Sequence, residues 1–293
     1  MSSTARAPRG GSRTVPVAAV LGSVLSLQFG AAFASTLFDD VGALGTVTLR
    51  LTLAAVILWA AVRPSVRHWG RAQWRGAAAL GVSLAAMNGF FYAAIARLPL
   101  AAAVTIEFLG PLTLAAVLSR RPRDALWVAL ALAGVALLGA RGLGGDGDAL
   151  DPAGVGFALL AAAGWAWYIV AGSHVAATVS GAAGLTVATT VAAVLVLPFG
   201  LGTAGAGLAD PAILGAGAVV ALLSSVIPYS LEMRALRDLP RNVFAILIAL
   251  EPAAAALAGA LVLGQWVQPA AAAGIALVIV AGVGALHGSS EPR

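Results

Sequence analysis

Three charged side chains lie inside long apolar stretches of the sequence: Arg50, Glu107 and Glu251. If these stretches span a bilayer, a charge near the centre costs at least about 2.5–3.5 kcal/mol and needs a compensating role. Arg50 and Glu107 could bind the carboxylate and ammonium of a zwitterionic molecule, or pair with each other and stabilise a helix bundle. Glu251 could bind a ligand, carry a proton or hydrogen-bond a neighbouring helix.

Three prolines lie in the same kind of apolar stretch: Pro111, Pro228 and Pro252. Inside a helix, proline removes one hydrogen bond and frees the carbonyl four residues earlier. The carbonyls freed in this way belong to Glu107, Ser224 and Ile248. Bent helices with free backbone groups suit a cavity, although prolines also kink purely structural helices.

Uncharged polar side chains extend this candidate site. Asn88 and Tyr92, four residues apart, would share one helix face. Further polar or aromatic candidates lie in other apolar stretches: Gln28, Trp165, Tyr168, Ser225, Tyr229 and Glu232. For each of these residues, hydrogen bonding between helices or anchoring at the membrane interface is the competing interpretation.

The composition predicts the elements that position these residues. Of the 293 residues, 60% are hydrophobic and 10% charged, whereas soluble domains average roughly 45–50% and 25%. Helices of about 20 apolar residues can cross a bilayer, and such runs lie near residues 15–36, 42–62, 76–96, 99–118, 124–140, 152–172, 183–201, 211–232, 241–263 and 268–287. We predict an all-α integral membrane protein with ten transmembrane helices. The first run resembles a signal peptide but is longer than one, so we expect it to remain as a helix.

The arginines predict the orientation. The 17 basic residues are all arginine, and nearly all fall in alternate gaps between runs, leaving Arg97 and Arg141 in the other gaps and Arg50 within a run. Because basic loops stay in the cytoplasm, we expect a multi-pass protein of the inner (cytoplasmic) membrane with both termini cytoplasmic. Arg50 and Glu107 would then both lie roughly 12 Å from the external surface, where they could meet.

The two halves of the chain correspond weakly. A shift of 141 residues places Pro99 on Pro240 and Pro111 on Pro252, and Asn88 on Tyr229. Two units of five helices would be inverted relative to each other, as in secondary transporters. The predicted organisation is an N-terminal tail, a first repeat, an external linker, a second repeat and a C-terminal tail, at residues 1–14, 15–140, 141–151, 152–287 and 288–293.

Several chemistries are disfavoured. The sequence has no cysteine, no GxxxxGK[ST] phosphate loop, no HExxH and no GxSxG. The arginines form no basic face for a nucleic acid. We therefore expect no catalytic residues, no metal, no cofactor and no direct use of ATP.

Five stretches carry a family resemblance and recur in order: FDDVGALGTVTLRLTLA, GVSLAAMNGFFYAAIARLPL, IEFLGPLTLAAVLSRRPRDALWVALALAG, IPYSLEMRALRDLP and LEPAAAALAGALVLGQ. They resemble EamA-type members of the drug/metabolite transporter superfamily. The resemblance implies inverted five-helix repeats and export of small amino acids, such as threonine and homoserine, driven by an ion gradient, with the proton as candidate ion.

The candidate substrate-binding residues are Arg50, Asn88, Tyr92, Glu107, Tyr229 and Glu251, and the candidate cavity-forming helix breaks are Pro111, Pro228 and Pro252. The expected partners are a small-molecule substrate and the lipid bilayer. The alternative function is export of another small metabolite or a drug-like compound. A membrane enzyme or a non-transporting scaffold agrees less well with the buried charges.

Overall fold

The protein is helical throughout the residues that its structure, a computed structural model, describes: 14–119, 122–141, 150–179, 182–228, 231–232, 235, 239 and 241–289. Its α-helices are α1 (Thr14–Ser35), α2 (Phe38–Val62), α3 (Arg71–Ile95), α4 (Leu100–Glu107), α5 (Leu109–Ser119), α6 (Pro122–Arg141), α7 (Pro152–Thr178), α8 (Ala183–Ala204), α9 (Pro211–Ala221), α10 (Arg241–Ile248), α11 (Glu251–Leu263) and α12 (Pro269–Ser289). A 3₁₀ turn at Gly205–Ala209 joins α8 to α9.

Seven helical segments are long and apolar enough to cross a membrane, judged over the described residues by length and composition. Three shorter apolar helices occupy Ala125–Leu138, Pro211–Val226 and Pro269–Ala285. The predicted all-α membrane class is confirmed. The number of ten spans stays a prediction.

Asp-Pro pairs begin two of the helices. The Asp151 carboxylate accepts a hydrogen bond from the backbone N–H two residues later, at 2.9 Å, and Pro152 opens α7. Asp210 and Pro211 begin α9 in the same way, with an equivalent hydrogen bond of 2.7 Å. Aspartate satisfies a free N–H of the first turn, and proline in that turn needs no donor. These caps fix where the chain re-enters the bundle.

Two helical segments are broken at corresponding places. The first break is at Phe108, between α4 and α5, and the second is at residues 249–250, between α10 and α11. A shift of 141 residues carries the bounds of α4 onto those of α10. Each break lies just before the predicted helix-breaking proline: Pro111 is the third residue of α5, and Pro252 is the second of α11. Proline tolerates the first turn of a new helix but not the interior of a continuous one.

A third irregularity precedes Pro228. Residues Leu222–Val226 form a π-helical turn at the end of α9. Such turns are found mostly as local insertions in α-helices, often at functional sites. Here the π-helical turn ends two residues before Pro228, which has no N–H to donate to the helix.

Small residues allow the helices to approach closely. Gly134 of α6 and Gly274 of α12 face each other, and a methyl group built on either would lie within 2.7 Å of the other's carbonyl oxygen. Gly110 of α5 similarly faces the Ala162 carbonyl of α7. In a bilayer, where apolar side chains gain little by leaving lipid, such close packing is a principal source of helix association.

Candidate functional site

Arg50 is the centre of the candidate site. It lies on α2 with a relative exposure of 4%, so its charge must be compensated by neighbouring groups. Its Nη2 donates to the Ser224 carbonyl at 2.8 Å, its Nε to the Ser225 hydroxyl at 3.4 Å and its Nη1 to the Tyr92 hydroxyl at 3.4 Å. Pro228, four residues later, has no N–H to donate to this carbonyl. The π-helical turn at the end of α9 therefore supplies the acceptor of the shortest hydrogen bond made by the Arg50 guanidinium.

Tyr92 contacts Arg50 in two ways. Besides accepting the hydrogen bond from Nη1, its ring lies 5.6 Å from the guanidinium carbon. A cation over an aromatic face is attracted by the negative face of the ring, and more strongly where water is excluded. Tyr92 is itself fully buried, in contact with the rings of Phe38 and Phe91. It acts on the site through Arg50.

A small cavity of about 70 Å³ adjoins Arg50, and we call it the polar chamber. Its lining combines five polar or charged residues with five apolar ones. The polar chamber is lined by Gln28, Arg50, Asn88, Glu107, Glu251, Leu27, Ala31, Met87, Phe91 and Trp165. Opposite charges and neutral amides thus line the same cavity, which suits a small dipolar molecule.

The two acids of the polar chamber lie at the two helix breaks. Glu107 is the last residue of α4, and Glu251 is the first residue of α11. In the described part of the chain, the hydrogen bonds of Arg50 go to Ser225, Tyr92 and Ser224, and neither acid is among these partners. No hydrogen bond joins Arg50 to Glu107 among the described residues, and a structural pair of the two charges stays a prediction beside substrate binding.

A larger cavity of about 350 Å³ continues from the polar chamber, and we call it the apolar chamber. Arg50, Glu251, Trp165, Leu27 and Met87 line both. The apolar chamber is further lined by Phe108, Pro111, Leu112, Ala115, Tyr168, Ile169, Pro228, Glu232, Phe244, Ile248, Gly282 and Ala285. Arg50 and Glu251 therefore lie at the junction of two spaces of different polarity.

Glu232 is the third acid at these cavities. It lines the apolar chamber, and one of its carboxylate oxygens accepts a hydrogen bond from Ser23 of α1 at 3.3 Å. This contact joins α1 to the segment that follows the π-helical turn. In the described part of the chain, no group of three or more His, Asp or Glu side chains is placed to hold a metal ion.

The structure brings most of the predicted site residues together. Arg50, Asn88, Glu107 and Glu251 line the polar chamber, while Tyr92 contacts Arg50 behind it. Two of the three prolines, Pro111 and Pro228, line the apolar chamber. Pro252 is buried in the first turn of α11 and lines neither chamber. The predicted residue Tyr229 lies outside the described residues.

Three residues at the site are not among the predicted substrate-binding residues: Ser224, Ser225 and Gln28. Ser224 and Ser225 supply two of its hydrogen bonds, and Gln28 lines the polar chamber. The available signal for Ser224 was its carbonyl, freed by Pro228. Gln28 was among the further polar candidates, but it was not one of the predicted substrate-binding residues.

Known proteins resemble the chain over most of its length. It is 39% identical over 270 residues to the threonine/homoserine exporter RhtA of Escherichia coli (strain K12), covering 92% of this chain and 90% of that protein. RhtA of Salmonella typhimurium (strain LT2) is also 39% identical over 270 residues, with the same coverage. The uncharacterized transporter YwfM of Bacillus subtilis (strain 168) is 28% identical over 260 residues, covering 86% of this chain and 85% of that protein.

A solved crystal structure shares the fold, with a TM-score of 0.63 at 21% sequence identity, covering 94% of this chain and 96% of that chain. Residues 152–286 match the EamA-like transporter family. Together with the relatives at 39% identity, this match agrees with the membrane-capable helices and the buried polar chamber. The chain belongs to the EamA-like transporter family.

Proposed function

We propose that the protein is a secondary transporter that exports small polar amino acids, such as threonine and homoserine, from the cytoplasm. The observation that carries the proposal is a buried arginine held beside two acids in a chamber of about 70 Å³. The identity of 39% to an exporter of threonine and homoserine indicates the substrate class. Absence of a nucleotide-binding loop from the sequence favours an ion gradient over ATP as the energy source.

The hydrogen bonds of Arg50 suit a carboxylate ligand. A guanidinium has five N–H donors in a planar fork, and three hydrogen bonds join it to described residues. The remaining donors are available for a substrate carboxylate, which guanidinium groups bind with directional, charge-assisted hydrogen bonds. Glu107 and Glu251, facing the same chamber, would receive the ammonium group.

Transport would proceed by alternating access between two inverted repeats, residues 15–140 and 152–287, with ten membrane spans in all. The matching helix breaks support this arrangement. Helix contacts also recur after the 141-residue shift: α5 with α7 corresponds to α11 with α1, and α4 with α7 corresponds to α10 with α1. The pairs α2 with α8 and α6 with α12 map onto themselves. Such pairing is typical of repeats related by a two-fold axis.

The arginine-rich ends of the helices would face the cytoplasm of a multi-pass inner-membrane protein, with both termini inside. The apolar chamber lies toward this side, because Ala115, Ile169 and Ala285 are near helix ends that adjoin the predicted cytoplasmic segments. The conformation would therefore be open toward the cytoplasm, as loading of an exporter requires.

A proton is the candidate coupling ion. Glu251 lies at the junction of the two chambers, and Glu232 lies further along the apolar chamber. Carboxylates inside a membrane that face a cavity commonly relay protons in transporters. A proton on Glu251 would compete with the substrate ammonium, which would couple the two movements.

A second candidate substrate is a bulkier metabolite or a drug-like compound. The apolar chamber has about 350 Å³ and aromatic walls at Phe108, Trp165 and Phe244. This volume lies within the roughly 300–1,000 Å³ typical of small-molecule sites. A bulky amino acid or amine that inhibits threonine efflux more strongly than homoserine does would favour this candidate.

The test is efflux of labelled threonine and homoserine from proteoliposomes, with and without an imposed proton gradient. Gradient-dependent efflux is expected, and an ionophore that collapses the gradient should abolish its acceleration. Protein that is inserted and folded but moves neither amino acid would overturn the proposed substrate class.

A further inference from the structure

We propose that Gln28 recognises the side-chain hydroxyl of the substrate, an inference that rests on the proposed export of hydroxylated amino acids. Gln28 lies on α1, in the first half of the chain, and its relative exposure is 3%. It is one of the two amides that line the polar chamber.

The amide oxygen of Gln28 lacks a hydrogen-bond donor. Its Oε1 is buried and receives no hydrogen bond from the described residues. A buried acceptor without a donor is unfavourable and rare, so such a group in a native protein calls for an explanation. Asn88, the other amide, differs because its Nδ2 donates to the Leu84 carbonyl of its own helix at 2.9 Å. A ligand that brings a donor into the chamber would relieve the deficit at Gln28.

Charge cannot distinguish one small amino acid from another. Arg50, Glu107 and Glu251 match the carboxylate and ammonium groups that every amino acid carries. Discrimination must therefore come from neutral groups around the side chain, and Gln28 is a neutral group in need of a donor. The polar chamber is small, at about 70 Å³, which favours a short side chain over a bulky one.

A buried acceptor selects strongly against a ligand that lacks the donor. When a valine replaces a threonine of nearly the same shape, the acceptor loses water without gaining a partner. A site of this kind can reject the analogue far better than an apolar pocket rejects an extra hydroxyl. The wild-type protein should therefore transport threonine in preference to valine, and homoserine in preference to norvaline.

The experiment measures threonine and valine efflux from the same proteoliposomes for the wild type, Gln28→Leu and Gln28→Met. The wild-type preference for threonine should fall by about tenfold or more in both variants, mainly through loss of threonine flux. The ratio within one preparation does not depend on how much protein is folded, and two apolar replacements of different shape guard against failure of one to fold.

Thr52→Val is the matched control. Thr52 also has a buried hydroxyl oxygen without a partner in the described residues, but it lines neither chamber. This variant should keep the wild-type ratio. An unchanged ratio in both Gln28 variants, or an equal loss of both fluxes, would overturn the role of Gln28 while leaving export intact. A wild type that moves no amino acid would instead overturn the proposed function, and the inference with it.

Discussion

Arg50 is held by groups from two different helices, and this determines what a substitution at the position would do. Its side chain bonds Tyr92 of α3 and both the backbone and the side chain of the segment that ends α9. A lysine would keep the charge but has a single ammonium, which cannot reproduce a planar fork. The residue therefore supplies direction as well as charge.

We expect Arg50→Lys to reduce threonine efflux by at least about tenfold, because the substrate carboxylate would lose a charge-assisted, directional partner. The measurement is the efflux rate per inserted protein in proteoliposomes. Arg97→Lys is the matched control: Arg97 is exposed, bonds the Ala93 carbonyl at 2.8 Å and lies over the Phe157 ring. Equal effects of the two substitutions would contradict a specific role for Arg50.

At this scale the sequence predicted which residues share the polar chamber better than which residues contact one another. The cost of burying charge identified Arg50, Glu107 and Glu251, and three of the four described residues predicted to bind around Arg50 line the polar chamber with it. The partners of Arg50 could not be predicted, because Ser224 and Ser225 are more than 170 positions away and reach it only through tertiary packing. Pro228 indicated that the Ser224 carbonyl could accept a hydrogen bond from outside its helix, but not that Arg50 is the donor.

The broken helices are the elements that set the site, since each break places an acid in the polar chamber. Pro111 lies in the first turn of α5, where its missing N–H prevents a continuous helix from α4 through α5. Restoring the donor would favour a straight helix, in which Glu107 is reoriented. The same change would stiffen a segment that adjusts its shape in the proposed alternating-access mechanism.

Pro111→Ala should therefore slow efflux several-fold while leaving thermal stability equal or higher, because alanine has the N–H that proline lacks and is the better helix former. Efflux and melting temperature would be measured on the same preparations. Pro269→Ala at the start of α12, where a proline disturbs nothing, serves as the control. A loss of stability together with activity would show that Pro111 is only structural.

Close packing between α6 and α12 can be tested separately from the site. Gly134→Val would push a branched side chain against the Gly274 carbonyl and the side chains beside it. Overpacking of this kind typically costs about 1–3 kcal/mol, so the melting temperature should fall. Gly89→Val is the matched control, because a Cβ atom built there meets nothing within 4 Å. Similar melting temperatures for the two variants would contradict the close contact.

Hydrophobic runs and prolines predicted the helices well, since the apolar run near 99–118 and the helix pair α4–α5 occupy nearly the same residues. The place of the break could not be predicted to the residue. Proline specifies that a helix must restart nearby, whereas the close approach of Gly110 to the Ala162 carbonyl near the start of α5 is a tertiary contact that the sequence does not show. An apolar run in the sequence predicts neither the contacts of a helix with its neighbours nor the angle at which two helices cross.

On the scale of the whole molecule, the two halves differ in packing although their helices correspond. Four residues of the apolar chamber are Trp165, Glu232, Phe244 and Phe108. Their counterparts after the 141-residue shift are Val24, Phe91, Ala103 and Ala249, all of which are buried. Apart from Phe91, which lines the polar chamber, these counterparts line neither chamber, as expected if one side of the molecule is open and the corresponding side closed.

This asymmetry predicts a change of accessibility during transport. The chain contains no cysteine, so a single introduced thiol reports its own position. A membrane-impermeant thiol reagent should label Ala115→Cys from the cytoplasmic side in the absence of substrate. It should label Ala103→Cys from the external side only while threonine is being exported. Labelling of Ala103→Cys at an equal rate without substrate would contradict alternating access.

The correspondence of the two broken helices has a consequence for the energetics of the resting state. If the halves were identical in sequence, exchanging their conformations would give a molecule of the same free energy, and both orientations of the cavity would be equally populated. Any preference must then arise from positions at which the halves have diverged, such as Trp165 and its counterpart Val24. Substitutions that make such a pair alike should move the populations toward equality. If the proposed inverted repeats are correct, the resting preference of this protein measures how far the sequences of its two halves differ.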